Sequence, residues 1–198
     1  MTERSASRSE EEPVAAASIF LTGFMGSGKT TVGAALAERL GLKFIDLDAE
    51  IEAAEGMPIA RIFAHKGEEA FRRIETAVLA RIAAAHSHGA VIALGGGTWA
   101  QTRNRAFVAA RRTVFLDPPF ELLEARVRQA GSTRPLAAKA ERFRALYAER
   151  LPIYREAGVH CRLHGTESPQ EAAEAVIAAL TAAGEHRANG DEVEGEYL

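Results

Sequence analysis

The sequence contains a single cysteine, Cys161, so no disulfide can form within the chain. One sign of an oxidising compartment is therefore missing. No apolar run approaches the ~20 residues that a membrane-spanning helix needs. Residues 1–13 are polar and lack the apolar segment of a secretory signal. These absences predict a cytoplasmic protein with no membrane partner.

Positive charge is not in excess, because 24 basic residues face 27 acidic ones and the net charge is −3. No basic stripe stands out, which argues against a nucleic-acid partner. Only four of the basic residues are lysines, and the others are arginines. Arginine suits bidentate contacts with carboxylates and phosphates. An alanine-rich and arginine-rich genome would explain the same composition equally well.

The chain has 198 residues, of which 47% are hydrophobic, and this fits one domain with a sizeable core. Both ends are polar and poor in apolar groups. We therefore predict disordered segments at 1–15 and 184–198 around a single domain at 16–183.

Short apolar runs alternate with longer helical stretches, and this alternation predicts an α/β protein with helices on both faces of a parallel sheet. The predicted strands are 18–22, 43–46, 90–94, 113–116 and, more weakly, 159–163. The predicted helices are 30–40, 49–55, 68–85, 103–110, 120–129, 138–156 and 169–182. Ligands of such sheets bind at the carboxyl ends of the strands, so functional motifs should follow strands.

The segment 23–30, GFMGSGKT, matches the phosphate-loop pattern G-x-x-x-x-G-K-[ST] in full. It follows the first predicted strand and opens the first predicted helix, as the motif requires. Its backbone N–H groups can surround a polyphosphate. Lys29 can reach the β- and γ-phosphates, and the Thr30 hydroxyl can bind Mg²⁺. A chance glycine-rich turn is a much weaker explanation in this context.

Two aspartates, Asp46 and Asp48, end the second predicted strand. If the strand continues to Asp48, both carboxylates point to the same face, beside the phosphate loop. One could hold the water shell of Mg²⁺ while the other accepts a proton from an attacking hydroxyl. Alternatively, Asp48 is an N-cap for the short helix at 49–55.

A glycine triplet, Gly95–Gly97, follows the third predicted strand and would permit close approach by a ligand. An ordinary strand-to-helix turn is the alternative. In the long helix, Glu68 and Glu75 share the helical face of Arg72. A solvated ladder of ion pairs explains this spacing better than a substrate-binding arginine does.

Two further arginines lie next to chain-breaking residues. Arg134 follows the turn at 131–133 and could close over a nucleotide as part of a lid. Arg150 and Arg155 flank Pro152, where a helical run is interrupted. Both could face a cleft, and either could equally be a surface charge.

Taken in order, these segments resemble the shikimate kinase family over about residues 18–182. The resemblance is carried by the following segments: GFMGSGKTTVG from Gly23, FIDLDAEIE from Phe44, GEEAFRRIE from Gly67, GGG from Gly95, TRPL from Thr133 and ERLPIY from Glu149. It implies a three-layer αβα P-loop kinase fold with a five-stranded parallel sheet and a mobile lid at about 129–141.

The resemblance also implies a role for each matching residue. Catalytic roles fall to Asp48 as base, Lys29 and the lid residue Arg134. ATP-binding positions would be Gly26, Ser27, Gly28, Lys29, Thr30, Thr31, Arg128, Arg134 and Pro169, with Arg128 and Pro169 flanking adenine. Substrate-binding positions would be Asp48, Arg72, Gly95, Gly96, Gly97 and Arg150. Mg²⁺ would be held by Thr30 and, through water, by Asp46.

The implied activity is phosphorylation of the 3-hydroxyl of shikimate by ATP, in chorismate and aromatic amino-acid biosynthesis, by a monomeric cytoplasmic enzyme. One rival is another small-metabolite kinase, for gluconate or a nucleoside monophosphate, which has no need for the acidic pair together with Arg72 and Arg150. A second rival is a P-loop module that has lost catalysis. A nucleic-acid-binding role is a third, disfavoured by the acidic net charge.

Overall fold

The computed structural model describes residues 17–108, 111–129 and 140–191, with side chains as far as 184. Five strands form one parallel sheet in the order β2-β3-β1-β4-β5. The strands are β1 (Ile19–Thr22), β2 (Lys43–Asp46), β3 (Ala90–Ala93), β4 (Arg112–Asp117) and β5 (Val159–Arg162). The helices are α1 (Lys29–Leu40), α2 (Leu47–Glu55), α3 (Ile59–Ala85), α4 (Thr102–Val108), α5 (Phe120–Gln129), α6 (Ala140–Tyr154) and α7 (Pro169–Asp191). The predicted five-stranded parallel sheet is confirmed.

The sheet lies between two helical layers, and alternate residues of β1 show the division. Ile19 and Leu21 belong to the core that includes Leu36 of α1 and Val176 of α7. Phe20 belongs to the opposite core. That second core contains buried residues of α3, α5 and α6: Ile62, Leu79, Leu123 and Phe143. Because both faces are covered, the central strands β1 and β3 are buried along their whole length, whereas the edge strands β2 and β5 are only partly buried. The three-layer prediction is confirmed.

Three helix boundaries differ from the sequence-based expectation. Helix α2 begins at Leu47, directly after β2. Helix α3 begins at Ile59 and is kinked at Gly67, where φ is 77°, so the predicted start at 68 coincides with the kink. Helix α7 runs through Gly184 to Asp191, past the predicted domain boundary at 183. A single glycine costs a helix only about 1 kcal/mol, so it does not end one by itself.

Parallel strands bring their carboxyl ends to one edge of the sheet. In the order β2-β3-β1, that edge holds Asp46, then the glycine triplet, then the phosphate loop. Three motifs that are far apart in sequence thus become neighbours. Within the described ranges, no helix combines the length and apolar character needed to cross a bilayer.

Candidate active site

The phosphate loop wraps around the ammonium group of Lys29. The Lys29 Nζ donates hydrogen bonds to the carbonyls of Gly23, at 2.8 Å, and Phe24, at 3.0 Å. Gly28 precedes α1 with φ of 92°, a conformation that favours glycine. The loop therefore directs the N-terminus of α1 and a lysine toward the same space, which is the arrangement that binds phosphate groups.

Asp46 is the link between β2, α2 and the phosphate loop. Its Oδ1 accepts hydrogen bonds from the backbone N–H groups of Asp48, at 2.9 Å, and Ala49, at 3.4 Å. Its Oδ2 accepts a hydrogen bond from the Thr30 hydroxyl at 2.7 Å. A hydroxyl and a carboxylate in contact fit a hard cation such as Mg²⁺. In the described part of the chain, no group of three or more His, Cys, Asp or Glu could hold a metal ion.

Asp48 lies in the first turn of α2, and not on the strand. The N-cap of this helix is Asp46. The strand ends at Asp46 as predicted, so the condition that it continues to Asp48 is not met. The alternative of an Asp48 cap is wrong, because Asp46 caps the helix two residues earlier. The Asp48 side chain nevertheless faces the glycine triplet: its Oδ1 is 2.6 Å from the point where a Cβ on Gly95 would lie. A side chain at position 95 would collide with it.

One cleft of about 490 Å³ connects the phosphate loop with Asp48 and Gly96. A volume of this order accommodates small-molecule ligands. The predicted site residues that line it are Gly26, Ser27, Gly28, Lys29, Thr30, Thr31, Asp46, Asp48, Gly96 and Pro169. The structure therefore brings most of the predicted nucleotide positions to a single space, together with two of the six predicted acceptor positions, Asp48 and Gly96.

Arg72 lies against Gly97, since a Cβ on Gly97 would lie 3.0 Å from the guanidinium, and neither residue is among those that line the cleft. Its Nη1 pairs with Glu75 at 2.9 Å, and its Nη2 pairs with the exposed Glu68 at 3.4 Å. Glu75 is only 1% exposed, and its Oε1 accepts a 2.6 Å hydrogen bond from Thr98. A solvated ion-pair ladder does not describe this geometry, because a buried carboxylate holds the arginine in one orientation.

Arg150 reaches the same glycine triplet from α6. Its Nη1 donates to the Gly96 carbonyl at 3.2 Å, and the Tyr154 hydroxyl donates to the same oxygen. Helix α6 continues through Pro152 to Tyr154, so the predicted interruption there is wrong. The proline lies close enough to the end of the helix that only the last turn is affected. Arg155 follows the helix, and neither it nor Arg150 is among the residues that line the cleft.

At the nucleotide end, the structure separates two arginines of α5. Arg128 is 68% exposed and pairs with Glu124 at 2.7 Å. Arg126 lines the cleft and donates to the Gly26 carbonyl at 3.1 Å. Pro169 lines the cleft at the start of α7. The lid position Arg134 lies outside the described residues, as does most of the predicted lid at 129–141.

Sequence reasoning missed Tyr154 and Arg126, and although it paired Glu75 with Arg72 it did not show that Glu75 is buried. For Arg126, the packing of α5 on the phosphate loop gives the reason. Leu123 and Val127 pack on Gly26, with contacts of 3.2 and 3.4 Å to the position of a Gly26 Cβ. Arg126 shares that side of the helix. Arg128, two positions later, points about 160° away from Arg126. Burial of Glu75 and the Tyr154 contact depend on distant parts of the chain.

Comparison with known proteins agrees with this geometry. The family model described as shikimate kinase matches residues 25–181. A shikimate kinase of Thermobifida fusca (strain YX) is 44% identical over 167 residues, covering 83% of this chain and 95% of that protein. One from Symbiobacterium thermophilum is 48% identical over 152 residues, covering 73% and 84%.

Solved structures give the same result. Shikimate kinase from Acinetobacter baumannii in complex with shikimate superposes with a TM-score of 0.77 at 34% identity, covering 87% of this chain and 97% of that one. A gluconokinase from Sinorhizobium meliloti 1021 reaches a TM-score of 0.57 at 20% identity, over 89% and 98% of the two chains, and thus shares the fold alone. With a matching family model over most of its length and relatives above 40% identity, the chain belongs to the shikimate kinase family.

Proposed function

We propose that this enzyme transfers the γ-phosphoryl group of ATP to the 3-hydroxyl of shikimate, giving shikimate 3-phosphate for chorismate and aromatic amino-acid biosynthesis. One observation carries the proposal: Lys29 of the phosphate loop, Asp48 and Gly96 line one cleft. Next to this cleft, Arg150 donates to the Gly96 carbonyl and Arg72 lies against the adjacent Gly97. A polyphosphate site and a carboxylate site therefore adjoin, with an aspartate near both.

On the donor side, the loop backbone and the α1 N-terminus bind the phosphates, and Lys29 supplies a positive charge. Lys29 is held by loop carbonyls, so its ammonium group lies within the loop. Thr30 and Asp46 would hold Mg²⁺, which when bound neutralises charge on the phosphates. Arg134, which lies outside the described residues, remains our expectation for a further cation at the γ-phosphate.

On the acceptor side, Arg72 and Arg150 would bind the substrate carboxylate. The Arg72 Nε is buried and finds no acceptor among the described residues, and a bound carboxylate would satisfy such a donor. The anchored ring would present one hydroxyl to Asp48, which orients it and takes its proton. Phosphoryl transfer needs little more from the protein than this positioning and charge neutralisation.

The direct test is ADP release from Mg²⁺-ATP by the full chain with shikimate, gluconate, a nucleoside monophosphate or no acceptor. We expect ADP release that depends on shikimate. Release with gluconate or the monophosphate alone would support the rival kinases. ATP binding without transfer to any acceptor would support a module that has lost catalysis.

Arg126 is our candidate for the arginine that faces the nucleotide, in place of Arg128. Arg126→Ala should raise KM for ATP about tenfold, as expected when a charge-assisted hydrogen bond is lost. Arg128→Ala is the matched control and should change that KM less than about twofold, because its ion pair with Glu124 is exposed. Steady-state kinetics with varied ATP measure both. A larger effect for Arg128→Ala would favour the assignment that the family resemblance implies.

We also propose that the enzyme is a monomer in the cytoplasm. Every residue named in the mechanism belongs to one chain, so the reaction does not call for a second copy. Sedimentation of the purified protein would reveal a larger assembly.

A further inference from the structure

Tyr154, the last residue of α6, is not among the residues that line the cleft. It is fully buried, and its hydroxyl donates to the Gly96 carbonyl. Arg150, four residues earlier on the same helix, donates to the same oxygen at 3.2 Å. A carbonyl oxygen has two lone pairs and can accept both hydrogen bonds. The Gly96 carbonyl is thus held from one side by two donors of one helix.

The direction of this carbonyl controls the geometry between the two arginines. The peptide group is planar, so fixing the Gly96 carbonyl also fixes the direction of the Gly97 N–H, which points the opposite way. Gly97 in turn lies against Arg72, because a Cβ on Gly97 would be 3.0 Å from the guanidinium nitrogens of Arg72. The Gly96–Gly97 peptide therefore stands between Arg150 and Arg72. A shift of this peptide would change the spacing of the carboxylate-binding pair.

The Tyr154 ring also reaches the phosphate loop. It packs edge-on against Phe24 at 6.4 Å between ring centroids and stacks on Phe115 of β4 at 5.4 Å. Gly96 itself approaches the Met25 backbone, which lies 3.6 Å from the position of a Gly96 Cβ. Burial raises the pKa of Tyr154 to about 12, so the hydroxyl stays protonated and can donate at physiological pH.

We propose that Tyr154 is a positioning residue for the acceptor: its hydroxyl holds the Gly96 carbonyl so that Arg150 can turn to the substrate carboxylate. This role rests on the proposed function of the site. Without the hydroxyl, the carbonyl keeps the guanidinium of Arg150 as its hydrogen-bond donor. A partly buried carbonyl left with one donor competes with the substrate for that arginine.

Tyr154→Phe tests the role, since it removes only the hydroxyl and keeps the packed ring. The matched control is Tyr147→Phe, on the same helix, whose ring also packs against Phe24, at 5.3 Å. We expect Tyr154→Phe to raise KM for shikimate about five- to tenfold, as for one lost buried hydrogen bond, with KM for ATP within about twofold. Tyr147→Phe should leave both within about twofold.

A second measurement reports acceptor binding without turnover. The chain has one tryptophan, Trp99, which is buried and donates to the carbonyl of Ile153, next to Tyr154. Titrating its fluorescence with shikimate gives Kd, which should rise in Tyr154→Phe by the same factor as KM. Thermal melting of both variants shows whether each is folded.

The outcomes separate this inference from the proposed function. An unmodified protein that transfers no phosphate to shikimate would refute the function itself. In an active enzyme, equal acceptor KM and Kd values for the two variants would refute the role of Tyr154. So would an equal loss of ATP and shikimate affinity in Tyr154→Phe, because that result would indicate general damage.

Discussion

Replacing Asp48 with asparagine should lower kcat by roughly 10²–10⁴ and leave the fold intact. Asparagine keeps the size and hydrogen-bonding reach of the side chain but cannot take the proton of the attacking hydroxyl. The structure supports a localised effect, because Asp46 rather than Asp48 caps α2. Steady-state kcat with saturating ATP and shikimate measures the loss.

Glu50→Gln is the matched control for this variant. Glu50 shares the first turn of α2 with Asp48, so either change removes one favourable charge from the helix N-terminus. Glu50 is partly exposed and pairs with Arg81 at 3.5 Å, away from the cleft. Its variant should keep kcat within about twofold. Turnover near the unmodified level in Asp48→Asn would remove Asp48 from the role of base.

Replacing Arg72 with alanine should weaken shikimate binding by about 2–5 kcal/mol, the usual cost of truncating one partner of a buried charge pair. The loss should appear in KM and Kd for shikimate, with ATP binding little changed. Arg73→Ala is the control, since Arg73 is 61% exposed and pairs with the exposed Glu69. Calorimetric titration with shikimate measures the difference between the two.

Truncating Arg72 also leaves Glu75 buried without its ion pair, so stability must be measured alongside affinity. Arg72→Lys addresses this problem. Lysine keeps a positive charge for Glu75 but lacks the planar fork that binds a carboxylate bidentately. A folded Arg72→Lys variant with weakened shikimate binding would support the proposed role. Unchanged shikimate affinity in both variants would show that Arg72 only forms an ion pair with Glu75 and does not bind the substrate.

The limits of sequence reasoning are visible at Arg72 and at Asp46. Spacing placed Glu68 and Glu75 on the same helical face as Arg72 but could not show that Glu75 is buried, because burial depends on Thr98 and the loop after β3. From the sequence, Asp48 could belong to the strand or cap the following helix. The hydrogen bonds that Asp46 accepts from the Asp48 and Ala49 backbone show that Asp46 is the cap and that Asp48 lies inside the helix. Family resemblance anticipated the residues in both cases, although not their contacts.

The sequence by itself determined the parallel α/β class, the five strands and the phosphate loop. These features depend on contiguous residues, whose apolar period, glycine conformations and helix signals act locally. Only the tertiary structure decided that Arg126 rather than Arg128 faces the cleft, that Glu75 holds Arg72, and that Tyr154 and Arg150 share the Gly96 carbonyl. These contacts join parts of the chain that lie up to 100 residues apart. Their geometry follows from how helices pack on the sheet, and no local pattern specifies that.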